Sequence, residues 1–186
     1  DIDPGITTVH AYNTDGVEVS TGWINNDGSY RLRYLNPGTY TVAFNRSSQF
    51  EPTIYEAMFY DGVHEHQGIQ AATPLTLETN DILTGIDATL QEGTSITGQV
   101  LGPNGAPLAD ARVVAFSPGS VLVARNGYTD ADGRFEIGGL STGDYYLQVL
   151  PEGMPRLYSG NVYTRDDAVP VHVELGGPAQ SAGVLT

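Results

Sequence analysis

The chain has 186 residues, a formal net charge of −14 at pH 7 and no cysteine. The acidic balance disfavours nucleic acid and anionic lipid as partners, and the lack of cysteine excludes disulfides, thiolate catalysis and cysteine-ligated metals. No apolar run reaches the length of a membrane-spanning helix, so membrane insertion is not expected. With 23 glycines, 11 prolines and no helical periodicity, the composition predicts an all-β chain of short strands and tight turns.

The first half of the chain alternates predicted strands with turns. Asn25-Asn-Asp-Gly28 and Pro37-Gly38 are turn signals, because glycine adopts a positive φ without a steric clash. Between them, Tyr30, Leu32 and Leu35 are the apolar positions of a half-buried strand. The predicted strands of this half are residues 6–12, 19–24, 30–35, 40–44, 54–60, 74–77 and 84–90.

The second half repeats the first. Asp132-Gly133 corresponds to Asp27-Gly28, and the second turn, at Gly143, corresponds to Gly38. The apolar positions agree as well: Phe135 with Tyr30, Ile137 with Leu32, Leu140 with Leu35 and Tyr145 with Tyr40. The chain is therefore a tandem repeat, and we predict domains at residues 1–93 and 94–186.

The two copies differ at their beginnings. The second copy opens with a predicted strand at residues 95–101, and the first copy contains no counterpart, so its opening strand is missing. The second copy ends at Ala182-Gly-Val-Leu-Thr186, which matches the start of the closing strand at residues 84–90. Two interpretations stand: the chain is a piece of a longer array, or a mature subunit whose open edge receives a strand from a neighbour.

Several motifs resemble a known family. They are Ser95-Ile-Thr-Gly-Gln-Val, Gly105-Ala-Pro-Leu-Ala-Asp-Ala-Arg-Val, Thr129-Asp-Ala-Asp-Gly-Arg-Phe and Gly139-Leu-Ser-Thr-Gly-Asp-Tyr. Together they resemble a carboxypeptidase regulatory-like domain, a transthyretin-like β-sandwich similar to the B-type repeats of bacterial adhesins. The resemblance implies two tandem Ig-like sandwiches. Adhesin repeats often carry a Lys–Asn isopeptide bond, which this chain cannot form because it contains no lysine.

Two groups of residues are candidate metal ligands. Asp130 and Asp132 precede Gly133 and resemble the beginning of a calcium loop, although a complete loop needs more oxygen ligands, and turn formation explains both repeats. His64 and His66 would share one side of a strand, where they could bind a metal with Asp61 or His10; a polar loop is the alternative. No cofactor is predicted, and Ca²⁺ is the cation considered.

Aromatic residues are candidates for binding sugars, whose C–H faces stack on rings. The first copy contains Trp23, Tyr55 and Phe59, whereas Tyr30, Tyr40 and Tyr60 occupy repeat positions typical of the core. Trp23 corresponds to Tyr128, which indicates a structural role for it as well.

The remaining motifs carry little chemistry. Ser141 has the Gly-x-Ser-x-Gly spacing, in Gly139-Leu-Ser-Thr-Gly143, but it lies between two predicted strands and not at the strand-to-helix turn of a nucleophile elbow. No phosphate-binding loop is present, and we predict that the chain is not an enzyme. Asn45-Arg-Ser47 is a glycosylation sequon in a predicted surface loop.

These observations predict a non-enzymatic structural module of an extracellular or cell-surface protein: a stalk, an adhesin or a filament subunit. Its expected partners are further copies of itself or adjacent repeat domains, and glycans are also considered. The alternatives are a carbohydrate-binding accessory module of a secreted hydrolase and a metal-binding adhesin.

Overall fold

A computed structural model describes residues 8–45, 54–117, 123–153 and 155–186. Ile6 and Thr7 of the first predicted strand, and Arg46 and Ser47 of the sequon, lie outside the described residues, as does the side chain of His66. The chain divides into two compact units: the first comprises the described residues up to Gln91 except Ile54, and the second comprises Ile54 and residues 92–186.

The first unit contains one six-stranded sheet. The strands are β1 (Thr8–Asn13), β2 (Glu18–Trp23), β3 (Gly38–Phe44), β4 (Met58–Phe59), β5 (Val63–His64) and β6 (Leu75–Leu77), with 3₁₀ turns at Tyr60–Gly62, Glu65–Gln67 and Ile69–Ala71. β1 lies between β2 and β3, and β3 also pairs with β4 and β6. The central strands β1 and β3 correspond to the predicted strands 6–12 and 40–44, and each contains consecutive buried residues.

The second unit is a β-sandwich of two sheets. β7 (Thr94–Val100) is the centre of the first sheet, antiparallel to β10 (Arg134–Leu140) and parallel to β14 (Gln180–Leu185). The second sheet contains β8 (Arg112–Phe116), β9 (Val123–Tyr128), β11 (Gly143–Leu150) and β12 (Leu157–Tyr158), with β13 (Val171–Val173) paired to β11.

The predicted turns form in both units. Gly28 has φ +82° and Gly133 has φ +71°, conformations that a side chain would strain. In the second unit, the carboxylate of Asp130 accepts hydrogen bonds from the amides of Asp132 (2.9 Å) and Arg134 (2.8 Å). In the first, Asp27 accepts one from the Ser29 amide (2.9 Å), and hydrogen bonds from Ser29 lower the pKa of Asp27 below its ordinary value.

Three predicted strands of the first unit differ from the structure. Of residues 54–60, only Met58–Phe59 form a strand, and Tyr60 begins a 3₁₀ turn. Residues 30–35 and 84–90 have no ladder pairing, whereas their counterparts in the second unit are β10 and β14. Both β10 and β14 pair with β7, and no described residue of the first unit takes the place of β7. The chain is therefore all-β, with two tandem β-sandwich units, the first of which has one layer without a ladder. Among the described residues, no helix is long and apolar enough to cross a membrane.

Candidate functional site

The candidate site is the space in the first unit that β7 fills in the second. In the second unit β7 packs between β10 and β14 and places Ile96 and Val100 in the core. Their neighbours Phe135, Ile137 and Leu185 are all buried. A strand at this position therefore completes one layer of the sandwich and covers the sheet beneath it.

The two segments beside this space keep the positions of β10 and β14, although no described residue forms a strand between them. A Cβ on Gly22 would lie 2.7 Å from the carbonyl oxygen of Arg31, and one on Gly127 would lie 2.8 Å from that of Glu136, so the same close approach occurs in both units. The Ser20 hydroxyl donates to the carbonyl oxygen of Arg33 (3.0 Å).

On the other side, Gly85 repeats the φ of +73° found at Gly183 in β14. The Tyr30 hydroxyl spans from the first segment to the second and donates to the carbonyl oxygen of Ile86. This side-chain hydrogen bond joins the two segments directly, whereas in the second unit two ladders connect their counterparts through β7.

A cavity of about 540 Å³ lies between these segments, and we call it the strand slot. Val42 on β3 and Leu75 and Leu77 on β6 line it from the sheet. Residues 28–32 and 34–35 line one side of the slot, and residues 81–87 line the other.

The apolar residues around the slot are incompletely buried. Tyr30, Leu32, Ile86, Ala88 and Leu90 pack against the core of the first unit but remain half-buried. Beyond them, Tyr34 is 96% exposed and Ile82 is 86% exposed. The first unit therefore leaves apolar surface in water at the positions that the second unit covers with β7.

The pH dependence of stability tests the buried environment of the Tyr30 hydroxyl. Burial, the charge of Asp87 and the neighbouring Tyr60 raise the pKa of Tyr30 from 10.0 to about 12. Because the unfolded chain loses this proton first, the contribution of Tyr30 to stability is complete below pH 10 and is lost as the pH rises towards 12. We expect denaturant unfolding to show this decrease for the first unit and Tyr30→Phe to abolish it; an unchanged pH dependence in Tyr30→Phe would contradict the assignment.

The predicted calcium ligands act as turn residues. The Asp130 carboxylate is occupied by two backbone amides, and the carbonyl oxygen of Asp132 accepts a hydrogen bond from the Gln99 side chain (2.8 Å). Among the described residues, no group of three or more His, Cys, Asp or Glu side chains is arranged to hold a metal. Calcium binding at Asp130 and Asp132 stays an untested prediction.

The structure changes the environment predicted for the histidines. His64 ends β5 and His66 lies in the following 3₁₀ turn, so the expected alternation along one strand does not apply. The Nδ1 atom of His64 lies 2.9 Å from Oε1 of Glu56, whose side chain is 0% exposed. Sequence reasoning missed Glu56, because one acidic residue in an aromatic-rich segment gives no periodic signal. Asp61 accepts a hydrogen bond from Thr73, and His10 lies beside Glu18.

The predicted sugar-binding aromatics do not form one surface. Phe59 is 3% exposed and belongs to a core cluster with Tyr12 and Ala43, and Tyr55 is half-buried. Trp23 is 64% exposed at the end of β2, and its counterpart Tyr128 is also exposed. Trp23 therefore lies outside the core, and any structural role that it shares with Tyr128 is not core packing.

Asn45 of the sequon is 0% exposed. Its Nδ2 atom, to which a glycan would be attached, donates to the carbonyl oxygen of Tyr55 (2.6 Å). The position was predicted to be a surface loop, whereas the side chain is internal. Glycosylation at Asn45 would therefore have to precede folding of this region.

One described cluster has the order hydroxyl, imidazole and carboxylate that nucleophilic catalysis uses. The Oγ1 atom of Thr8 lies 2.8 Å from Nε2 of His10, and Nδ1 of His10 lies 3.1 Å from Oε2 of Glu18. Thr8 and His10 are both buried, and neither lines the strand slot. The Thr8 hydroxyl is thus enclosed by its neighbours in the folded unit.

Comparisons with known proteins gave one family match and several similar solved structures. Residues 95–176 match the family model described as "Carboxypeptidase regulatory-like domain". A search of curated protein sequences gave no match.

Among solved structures, the chain is similar to the Bacillus anthracis TIE protein, with 15% identity and a TM-score of 0.32, over 100% of this chain and 32% of that one. It thus spans about a third of that protein's length. The minor pilin GBS52 of Streptococcus agalactiae has 13% identity and a TM-score of 0.31, over 97% of this chain and 81% of that one. The group B streptococcus pilus 2b backbone protein has 14% identity and a TM-score of 0.32, over 100% and 79%.

Proposed function

We propose that the chain, whose residues 95–176 match the carboxypeptidase regulatory-like domain, is a non-enzymatic structural module of an extracellular or cell-surface protein. Its first unit receives a β-strand from a neighbouring molecule, so that the modules join by strand complementation. The observation that carries this proposal is the strand slot, because the second unit has a strand at the same position.

Burial of apolar side chains and formation of ladder hydrogen bonds both favour binding of a strand in the slot. Burial of an aliphatic side chain contributes roughly 1.5–3 kcal/mol, and β7 buries Ile96 and Val100 completely in the second unit. A strand in the slot would in addition provide ladder partners for residues 30–35 and 84–90. Main-chain hydrogen bonds of this kind join modules without an enzyme or a cofactor.

The mass distribution in solution tests the proposal. We expect light scattering and negative-stain imaging of the protein to show assemblies larger than a monomer. Leu32→Asp should reduce them, because it places a charge on the wall of the slot. Val17→Asp is the matched control, since Val17 is exposed in the same unit and does not line the slot. A monodisperse wild-type monomer, or equal loss in both variants, would contradict the proposal.

A second candidate, a carbohydrate-binding accessory module, is favoured by Trp23 and Tyr128, which are both exposed at corresponding positions. Exposed rings at repeated positions offer stacking faces for sugars. We expect glycan titration to change the fluorescence of Trp23, the single tryptophan, under this alternative. Unchanged fluorescence with soluble polysaccharides would exclude Trp23 as a stacking platform for those sugars.

A further inference from the structure

We infer that the strand slot selects an extended segment with the residue pattern of β7: an apolar residue, any residue, glycine, any residue and a second apolar residue. This inference rests on the proposed function and specifies the partner: a strand of a neighbouring protein molecule that enters antiparallel to residues 29–35 and parallel to residues 84–90. The directions are those of β7 relative to β10 and β14 in the second unit.

The glycine in this pattern follows from the ring opposite it. Gly98 of β7 pairs with Phe135, and a Cβ on Gly98 would lie 2.7 Å from the ring of Phe135. Tyr30 replaces Phe135 in the first unit, and its ring reaches across the slot to Ile86. A donor residue opposite Tyr30 therefore has to leave room for an aromatic ring of the same or larger size, and glycine does so.

The first apolar position follows from the wall of the slot. Ile96 pairs with Ile137 and is 0% exposed, and Leu32 is the counterpart of Ile137. Leu32 is half-buried in the first unit, so an aliphatic side chain opposite it would complete its burial. A charged residue at this donor position would be desolvated without a partner.

The end of the donor is fixed at the Asp-Gly turn. In the second unit, the amide of Val100 donates to the carbonyl oxygen of Gly133 (2.7 Å), and the Val100 side chain is buried. Gly28 occupies the position of Gly133 in the first unit, and space for a Cβ is open around it. The Gly28 carbonyl is thus the acceptor for the amide of the second apolar residue, which fixes the register of the donor.

The probe is a synthetic peptide with the sequence of residues 94–101, added to the intact two-unit protein and followed by backbone NMR. We expect the amide signals of Tyr30, Leu32 and Ile86 to shift, whereas those of Ile137 and Val184 stay unchanged. The second unit is thus the internal control, because its own β7 already fills the site. We expect the peptide to prevent assembly as well, since it occupies the position that the neighbour's strand would take.

Peptide variants test the pattern. A peptide with Ile96→Asp, or one with Gly98→Val, should bind at least roughly tenfold more weakly, whereas Ser95→Gln on the opposite side of the strand should bind like the parent peptide. Equal binding of all four peptides, or shifts confined to the second unit, would overturn the inference. A dimer that does not bind the peptide would also overturn the inference, because the folded edge of a second copy would then cover the slot.

The two proposals can fail separately. Assemblies that form while the parent peptide does not bind would contradict the inferred pattern and leave strand complementation by another sequence in place. A monomer that binds the parent peptide and discriminates against Ile96→Asp would contradict the assembly and support the slot's selectivity. A monomer that binds no peptide would overturn both.

Discussion

Replacement of Gly133 by alanine is expected to destabilise the second unit by about 3 kcal/mol or more. Gly133 has φ +71°, which costs roughly 1–2 kcal/mol for a residue with a side chain. The new Cβ would also lie 2.4 Å from the carbonyl oxygen of Val100 and 3.1 Å from the amide nitrogen of Leu108. Both atoms are backbone, so the turn and the end of β7 would have to move apart. Denaturant unfolding of the variant measures this loss.

Gly28→Ala is the matched control for this prediction. Gly28 has φ +82° at the corresponding turn, but a Cβ added to it would have no neighbouring atom within 4 Å. We therefore expect only the conformational cost of a positive φ, roughly 1–2 kcal/mol, in the first unit. The difference between the two variants measures the effect of β7 beside Gly133, because no strand of the described residues lies beside Gly28. Equal losses would show that the two turns have the same surroundings and would contradict the open slot.

Replacement of His64 by alanine is expected to destabilise the first unit by about 3 kcal/mol. The Glu56 side chain is completely buried, and its Oε1 atom is paired with His64. The other carboxylate oxygen, Oε2, has no hydrogen-bond partner among the described residues. The variant would thus leave a buried acidic group without its partner, which is costly in a medium of low polarity. Thermal or denaturant unfolding followed by a probe in the first unit measures the change.

His172→Ala is the control, because His172 pairs with Asp144 at 2.6 Å and both side chains are at least half exposed. Exposed pairs contribute about 0–1 kcal/mol, so this variant should unfold almost like the wild type. The double variant Glu56→Leu/His64→Ala should recover much of the loss, since it removes the buried acid together with its partner. A His64→Ala variant as stable as His172→Ala would contradict the role assigned to the buried pair.

The sequence predicted most of the fold because its signals are local. Asp-Gly pairs determine the turns at Gly28 and Gly133, and alternation of apolar residues determines strands such as β3 and β11. Because the second copy repeats the first, a strand or turn predicted in one copy also predicts its counterpart in the other. Residues 30–35 and 84–90 were predicted as strands by the same local pattern, but a strand also needs a partner, and the described part of the first unit supplies none.

The candidate site was only partly predictable. The repeat predicted that residues 30–35 and 84–90 flank the position of β7, but it could not predict the Tyr30 contact with Ile86, because this contact joins residues distant in sequence. Asn45 and Glu56 were equally hidden, since polar residues in a loop or at a strand end are usually exposed. Their burial depends on tertiary packing, about which neither composition nor periodicity carries information.

Amide hydrogen exchange tests the central claim, an unfilled strand position in the first unit, most directly. In the protein dissociated to monomers, we predict fast amide exchange at Leu32 and Ala88 and strong protection at Ile137 and Leu185. Addition of the peptide of residues 94–101 should then slow exchange at Leu32 and Ala88 alone. Equal protection of the two pairs before the peptide is added would show that residues 30–35 and 84–90 already have a ladder partner, and would contradict the claim.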